Sequence, residues 1–559
     1  MPIEKLPAPT WLSRTLADSG VTHVFFVDAV LRNSLIALRE VGVQPVLAHT
    51  EKAAAYVADG DARVAGRPGI CMAQSVGAAN LAAGLQDARL GHSPVIAFTG
   101  RKPEAQQHRN AYQEVEHAPF FAAVTKFSAR VDKASDLPRL LRRAWRTTLT
   151  GSPGPAHLDL AGLQAEDVEA GEIAGETTSA IFHAHVPAHR PVAGADEIAR
   201  AAKAMTSARR PVLVVGAGAV ASGAAAEIQR LAHLLHAPIA TTLGGRGIIA
   251  TRHPLAIGTI GTYGIPPTNE IVSGADLTIV IGSQLSDQST CAWHVPAPPV
   301  LIVQIDTDPL EIGHSYVNTL AVVGDPKSSV DAIIARLSSG PTTPRSAEYA
   351  EEAARKITEW RTHVATALRS DTAPIAIERL CAEMTNALPV DAILVADTGY
   401  SGIWTCTLVE LNGAGQKYLR AAGSLGWAFP AALGAKCAAP DRKVVCFTGD
   451  GGFCYHLAEL ETARRRGIAV TVVVNNNSGF GQGMVNMRRQ GKTLEQVRDL
   501  VCFENTDFAA VARSFGLDGI RVENPAELAP ALQRAVASDR TTVVDVVTSI
   551  AQTPPKAAG

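Results

Sequence analysis

GDGGFCYHLAELETARRRGIAVTVVVNNN, residues Gly449 to Asn477, is the stretch whose reading decides the fold. Just before it, Lys443–Thr448 is a short apolar run, a buried strand that breaks at a glycine turn. From Tyr455 to Arg466 the apolar positions Leu457, Leu460 and Ala463 recur at helical spacing. Arg464, Arg465 and Arg466 suit the C-terminal turn of that helix, and Gly467 suits its cap. Ala469–Val474 is the next apolar strand, with Asn475, Asn476 and Asn477 directly after it. Strand, helix and strand within about 30 residues form a βαβ crossover, so the two strands run parallel as close neighbours. The glycine turn and the asparagines then lie together at the carboxyl ends of strands, the edge where open α/β sheets bind ligands.

Asp450 and Asn477 are then expected to converge on that edge. One carboxylate, one amide oxygen and a backbone carbonyl just beyond make part of the oxygen shell that a hard divalent cation such as Mg2+ takes. Phosphate oxygens and water complete such a shell. The glycines leave N–H groups free to approach phosphate, and the following helix presents its N-terminus. Taken singly, each feature reads more simply as a tight turn or an Asx turn. Together, on one βαβ frame, they favour a metal–diphosphate site.

The rest of the chain agrees with such a frame. At 559 residues it exceeds one core, and a norm of about 150 residues per domain gives three or four domains. Short Val/Ile/Leu runs alternate with Ala-rich helical stretches throughout. The expected fold class is therefore α/β, with three consecutive doubly wound, mainly parallel-sheet domains at 1–185, 190–340 and 365–559. A weakly patterned stretch from about Glu166 to Gly194 reads as a linker, the Ser/Pro/Thr-rich Ser338–Glu348 as a second, and the tail from Gln552 as frayed. The first and third blocks invite comparison as copies of one architecture, which the residues alone do not show. A net charge of −2 gives no electrostatic case for nucleic acid or an anionic membrane. Eight scattered cysteines lack CxxC or metal-ligand spacing and read as reduced thiols. The N-terminal residues carry no basic-then-apolar leader, and no apolar run reaches about 18 residues. A soluble, cytoplasmic protein with neither nucleic-acid nor membrane partners is the expectation.

The Gly-Asp-Gly to Asn-Asn pattern resembles the thiamine diphosphate (ThDP) signature, most closely that of the acetolactate synthase and pyruvate decarboxylase superfamily. The resemblance implies Mg2+ held by Asp450, Asn477 and the Gly479 carbonyl, with Asn476 beside Asn477 and Asn475 outside the signature. It places Gly449, Asp450, Gly451 and Gly452 on the diphosphate; Gly452 stands where serine is usual. Glu459-Leu460 matches a Glu-Leu pair common in these enzymes. HTEKAAAYVADGDARVAGRPG (His49–Gly69) is similar to the segment that carries the essential glutamate. Glu51 would there meet the aminopyrimidine ring and favour the tautomer that removes the C2 proton. From the residues alone, Glu51 is equally a first-turn acid favoured by a helix dipole. QSVGAAN (Gln74–Asn80) resembles the family's Ser-Gly-x-Gly-x-x-Asn turn with one glycine replaced, and contributes Ser75, Gly77 and Asn80. AYQEVEH (Ala111–His117) is similar to the Phe-Gln-Glu segment, with Gln113 near the cofactor and Tyr112 facing substrate.

DTGYSGIW (Asp397–Trp404) resembles the diphosphate-contacting loop and contributes Gly399, Tyr400 and Ser401. AAGSLGWAFPAALGAK (Ala421–Lys436) contributes Ser424 and Leu425, the latter in the place of the apolar residue that bends ThDP into a V. Read without the family, Leu425 is an ordinary core leucine. The resemblance spans the chain and turns its blocks into pyrimidine-binding, Rossmann-like central and diphosphate-binding domains. It also implies a homodimer or homotetramer with active sites at the subunit interface.

Three places depart from the pattern. In the central block GSQLSDQ (Gly282–Gln288) has Gln284 and Gln288 where acetolactate synthases usually carry two arginines for a non-redox FAD, so flavin is either lost or replaced by another nucleotide. The Gly216–Gly218 turn is weak evidence either way. In the first block FVDAVLRNS replaces the usual Pro-Gly, leaving Asp28 to face substrate or to cap the next helix. After Asn477, Gln482 stands near the position of the proton-relay glutamate of simple decarboxylases. His108 and His117 fall on the substrate side of the resemblance, with surface or core roles equally open. The resulting expectation is a 2-oxo acid decarboxylase that transfers the acyl carbanion to a carbonyl acceptor, with Glu51, Gln113, Asp28, Tyr112 and Gln482 as catalytic candidates. The alternative is ThDP-dependent cleavage of a 1,2-diketone or acyl-CoA-type substrate. A nucleotide-dependent oxidoreductase and a non-catalytic scaffold are the readings from other classes.

Overall fold

The apolar runs become the strands of three six-stranded sheets in a computed structural model that describes residues 5–174, 185–339 and 346–555. Across the first sheet the strands lie in the order Gln44–Leu47, His23–Phe26, Gly69–Gln74, Val95–Arg101, Ala156–Ala161, Phe127–Val131, all parallel. The third sheet runs Lys417–Arg420, Ile393–Ala396, Val444–Gly449, Thr471–Asn476, Thr542–Val547, Asp518–Val522, again all parallel. Numbered along the chain, both read 2-1-3-4-6-5, so the first and third blocks share one topology. The central sheet reads 3-2-1-4-5-6, with Pro211–Val215 and Leu277–Ile281 at its middle. Helices cover both faces of such sheets, which is why the strands read as unbroken apolar runs rather than alternating ones.

The stretch expected to be a linker from Glu166 instead begins with ordered structure. Glu166–Glu169 is a short helix, and Glu172–Ala174 pairs antiparallel with Lys5–Pro7. Val168 and Ile173 are the buried anchors, too widely spaced to show as a period. Glu169 has a further task. The helix Arg32–Glu40 has no local side-chain cap, and the Glu169 carboxylate accepts from the Asn33 and Ser34 N–H groups at 3.3 and 2.7 Å. Residues 175–184 of that stretch lie outside the described residues, as do 340–345 of the second linker and 556–559 of the tail.

The first and third domains dock through two helices rich in alanine that meet at glycines. Glu51–Ala65 is capped by Thr50, whose hydroxyl accepts from Ala53 N–H at 3.1 Å, and closes at Gly66 in the left-handed conformation. It packs on Ala428–Ala438, with Gly60 against the Ala431 backbone and Gly434 against the Val57 backbone. An added Cβ at either glycine would approach a carbonyl oxygen closer than 3.0 Å, a separation real Cβ atoms essentially never show. One buried cluster runs without a break from Phe25 and Leu81 in the first domain through Ala431 to Val472 in the third.

Candidate active site

Val444–Gly449 and Thr471–Asn476 are hydrogen-bonded neighbours, with Gly449 in register with Asn475. Asp450 and Asn477 begin the loops beyond them. The Asp450 carboxylate accepts from Gly451 N–H at 2.6 Å, from Asn477 N–H at 3.1 Å and from Gly479 N–H at 3.0 Å. Burial nevertheless outweighs these bonds and pushes its pKa up to about 6, a carboxyl group short of a positive partner. The three asparagines have separate tasks. Asn475 Oδ1 accepts from Thr548 at 2.6 Å, and Asn476 Nδ2 donates to Asp545 at 2.9 Å and to the Thr506 carbonyl at 2.8 Å. Both are spent on the neighbouring strand. Asn477 Oδ1 is buried with no hydrogen-bond partner among the described residues. A buried amide oxygen without a donor is costly unless a ligand completes it. Among the described residues no three His, Cys, Asp or Glu side chains cluster as a metal site. Asp450 with the Asn477 amide is thus an oxygen donor pair that fits a hard cation such as Mg2+.

The remaining third-domain candidates surround this pair. The first and third strands of the sheet flank its switch point, and the loops Asp397–Gly399 and Gly449–Gly452 leave from there. Gly399 has φ +65, so a non-glycine residue there would be strained. A Cβ built on it would lie 3.1 Å from Gln482 Oε1, and one on Gly449 would lie 3.8 Å from Ser401 Oγ. Tyr400 and Ser401 are buried in the first turn of the helix that begins there. Gly452 explains its own departure from serine: a Cβ would sit 2.7 Å from Asp397 Oδ2 and 2.9 Å from Thr448 Oγ1.

Asp397, quoted in a motif but not singled out, is the hub of this corner. It accepts from Thr398 N–H at 2.8 Å, Thr448 Oγ1 at 3.0 Å and Gly426 N–H at 3.1 Å. Full burial pushes its pKa up to about 7. A raised carboxyl pKa stabilises the fold fully below the unfolded value near 3.8, and that contribution is lost as pH rises through about 7. Denaturant melts of the ThDP-free protein are expected to show stability falling across this window, and Asp397→Asn to flatten part of the slope. Leu425, beside Gly426, is half-buried and belongs to none of the apolar clusters, unlike the core leucine its sequence neighbourhood suggests.

In the first domain, Glu51 heads its helix and its Oε2 accepts from Asn80 Nδ2 at 3.2 Å. Gly77 lies directly against the Glu51 carboxyl group and leaves no room for a side chain. Gln113, at φ +57, is held by Gln74 Nε2 at 2.7 Å, and its carbonyl accepts from Ser75 Oγ. Its own Nε2 reaches the Tyr112 hydroxyl at 3.2 Å, with Tyr112 75% exposed. Glu51, Gly77 and Asn80 thus form one group, and the neighbouring Gln74 and Ser75 hold Gln113, which reaches Tyr112. The third domain steadies this group. Glu459, buried and with its pKa raised by desolvation, accepts from His49 N–H at 2.9 Å, two residues before Glu51. Among the described residues no hydrogen bond or ion pair joins Glu51, Asn80 or Gln113 to Asp450, Asn477 or Gly479.

Other candidates lie elsewhere. Asp28 does not cap the following helix, whose N-cap is Leu31; it is exposed and pairs with Arg32 at 3.2 Å. Its loop holds Ala29 at φ +75 and Leu31 at φ +47. Left-handed backbone costs a non-glycine residue roughly 1–2 kcal/mol. Ala29→Gly is accordingly expected to raise stability by up to about 1 kcal/mol in thermal melts. His108 is exposed, whereas His117 is buried with Nδ1 2.8 Å from the Asp159 carboxylate, in a core network with Thr99 and His157. Burial pushes the His157 pKa down to about 3, which keeps that ring neutral.

In the central domain Gln284 is held by Glu311 at 2.8 Å, and the Gln288 carbonyl accepts from Thr262 N–H. The Gly216 turn is pressed against the Gly282 backbone. Asp306, whose pKa burial raises to about 6, and Asp308 follow at the end of the next strand. Neutral Gln284 and Gln288 beside the Asp306 and Asp308 carboxylates offer a flavin diphosphate no cation at these positions.

Three family models match the chain in order. These are the N-terminal thiamine pyrophosphate (TPP) binding domain of thiamine pyrophosphate enzymes over residues 8–120, their central domain over 198–333, and their C-terminal TPP binding domain over 397–546. A probable acetolactate synthase large subunit of Methanocaldococcus jannaschii is 32% identical over 554 residues, covering 97% of this chain and 92% of the relative. The acetolactate synthase isozyme 1 large subunit of Escherichia coli is 30% identical over 505 residues, covering 88% and 85%. A putative thiamine pyrophosphate-containing protein of Bacillus subtilis is 28% identical over 546 residues, covering 96% and 90%.

Proposed function

We propose a reaction for a chain that belongs to the thiamine pyrophosphate enzyme family and is acetolactate-synthase-like throughout its three domains. The reaction is decarboxylation of a pyruvate-like 2-oxo acid, with the acyl group passed to a second carbonyl compound. When bound, ThDP supplies the electron sink that stabilises the carbanion left by loss of CO2. Asp450 and Asn477, with the Gly479 carbonyl, would hold Mg2+, and the turn Gly449–Gly452 would offer N–H groups to the diphosphate. Glu51 receives and shares a proton with the aminopyrimidine ring. Gln113 and Tyr112 border the substrate on the first-domain side, and Leu425 supports the bent cofactor.

The observation that favours transfer over simple aldehyde release is Gln482 beside Gly399. A neutral amide at this position would hold no acidic proton to end a plain decarboxylation, which supports passage of the acyl group to a carbonyl acceptor. Proton NMR of products tests this. Pyruvate alone or with an aldehyde or 2-oxo acid acceptor is expected to give a hydroxyketone or 2-hydroxy-3-oxo acid. Acetaldehyde as the sole product would overturn the reading, and turnover only of a 1,2-diketone would move it to C–C cleavage. The exposed surfaces around Tyr112 and Tyr455 suit burial between subunits, in keeping with a homodimer or homotetramer. Among the described residues no helix is long and apolar enough to cross a membrane. The purified protein is expected to show no visible flavin band. A stoichiometric flavin spectrum would contradict the reading of Gln284, Asp306 and Asp308.

A further inference from the structure

We propose that Asp87, a first-domain residue outside every motif discussed above, is a positioning residue for the loop that receives ThDP, an inference that rests on the cofactor reading just given. The loop Ala421–Trp427 joins the strand Lys417–Arg420 to the helix Ala428–Ala438 of the third domain. Asp87 lies on the first-domain helix Gly77–Leu90 with its side chain fully buried. Its carboxylate accepts three consecutive loop N–H groups, from Ala422 at 2.9 Å, Gly423 at 3.1 Å and Ser424 at 2.9 Å. Arg63 balances the charge, with Nη2 3.2 Å from Asp87 and both ends of its fork on Asp59 at 2.7 and 2.8 Å. The same guanidinium donates to the Arg420 carbonyl at 2.8 Å and lies 4.6 Å from the centre of the Trp427 ring. The Trp427 indole N–H in turn donates to Asp59 at 2.8 Å. First-domain side chains therefore hold the loop at its start, middle and end.

The consequence is a division among the loop's amides. Ala422, Gly423 and Ser424 are bound to Asp87, and Gly426 to Asp397. Leu425 N–H donates to no protein acceptor among the described residues, and its side chain lies outside the apolar clusters. Among the described residues Leu425 thus combines an N–H that meets no protein acceptor with an apolar side chain that packs into no cluster. Three convergent N–H groups also form a nest that attracts an anion. Asp87 fills it, which leaves the cofactor's diphosphate to the Gly449–Gly452 turn and keeps the orientation of Leu425 fixed before ThDP arrives.

Hydrogen exchange and binding test this together. In the ThDP-free wild-type protein the amides of 422–424 are expected to be protected although Gly423 is exposed; exchange at open-loop rates would overturn the proposal without any variant. Asp87→Asn presents an N–H to donors that need an acceptor. It is expected to strip that protection and to weaken ThDP binding on the order of tenfold or more, the scale of losing an outer supporting partner. Inorganic diphosphate with Mg2+, which needs only Asp450, Asn477 and the glycine turn, should bind the variant as it binds wild type. Equal ThDP affinity in wild type and Asp87→Asn would overturn the role of Asp87. Failure of the wild type to bind ThDP at all would instead overturn the cofactor reading. A variant that does not fold leaves the wild-type exchange result to decide.

Discussion

Alanine at Gly60 or Gly434 is expected to undock the first domain from the third. At both positions a methyl group would press on the backbone carbonyl of the facing helix, where no rotamer change can relieve it. Overpacked cores usually lose 1–3 kcal/mol, and a clash with backbone belongs at or above about 3 kcal/mol. The loss is also functional, because Glu51 heads the helix that Gly60 seats and Leu425 precedes the helix that Gly434 seats. Thermal unfolding and limited proteolysis should show an early, separate transition, with ThDP affinity lost alongside it. Gly423→Ala is the steric control, since its methyl would meet nothing within 4 Å. Wild-type melting for both helix variants would show that the two helices do not touch as described.

The second large effect separates the three asparagines. Asn477→Ala removes the buried amide oxygen that lacks a partner, so it should abolish metal-dependent cofactor binding while costing the fold little. Asn476→Ala leaves the buried Asp545 carboxylate short of a donor, although Arg521 remains 2.8 Å from it. It should lower stability by roughly 1–3 kcal/mol in denaturant melts, yet leave metal affinity nearly unchanged once folded. Asn475→Ala strands the Thr548 hydroxyl in the same way. The reverse pattern, with Asn475 or Asn476 controlling the metal and Asn477 only the fold, would require a different register for the site.

The choice of Asn477 as partner of Asp450 came from the interval in the resembling family, whereas the separate tasks of Asn475 and Asn476 were not legible, because the apolar run ends at Val474. A βαβ crossover fixes both strand ends on one edge, but the strand runs on to Asn476, and its ladder with Thr542–Val547 holds Asn475 and Asn476 and leaves Asn477 beyond it. The order of the three α/β domains was legible from the alternation of apolar strand runs and helices, whereas Glu51 and its neighbours came from the family resemblance alone. The supporting carboxylates were not legible. Asp87, Asp397 and Glu459 act across elements and, for Asp87 and Glu459, across domains, at separations of several hundred residues. Neither periodicity nor local spacing marks an acid whose partners are backbone N–H groups that far away. The segment from Glu166 was misread because its order comes from two apolar anchors and one capping glutamate, a pattern too sparse for a window to detect. Asp28 was open for the opposite reason: residue type allowed a cap, but the left-handed Leu31 took the capping position and turned the carboxylate outward to Arg32.

The central claim is that Asp450 and Asn477 hold a divalent cation that fastens ThDP to the third domain. Calorimetric titration of ThDP into chelator-treated protein, before and after Mg2+ is restored, addresses it directly. No binding without the cation and stoichiometric binding with it, both lost in Asp450→Ala, is the predicted result. ThDP binding that is unchanged by chelation, or that survives Asp450→Ala, would contradict it.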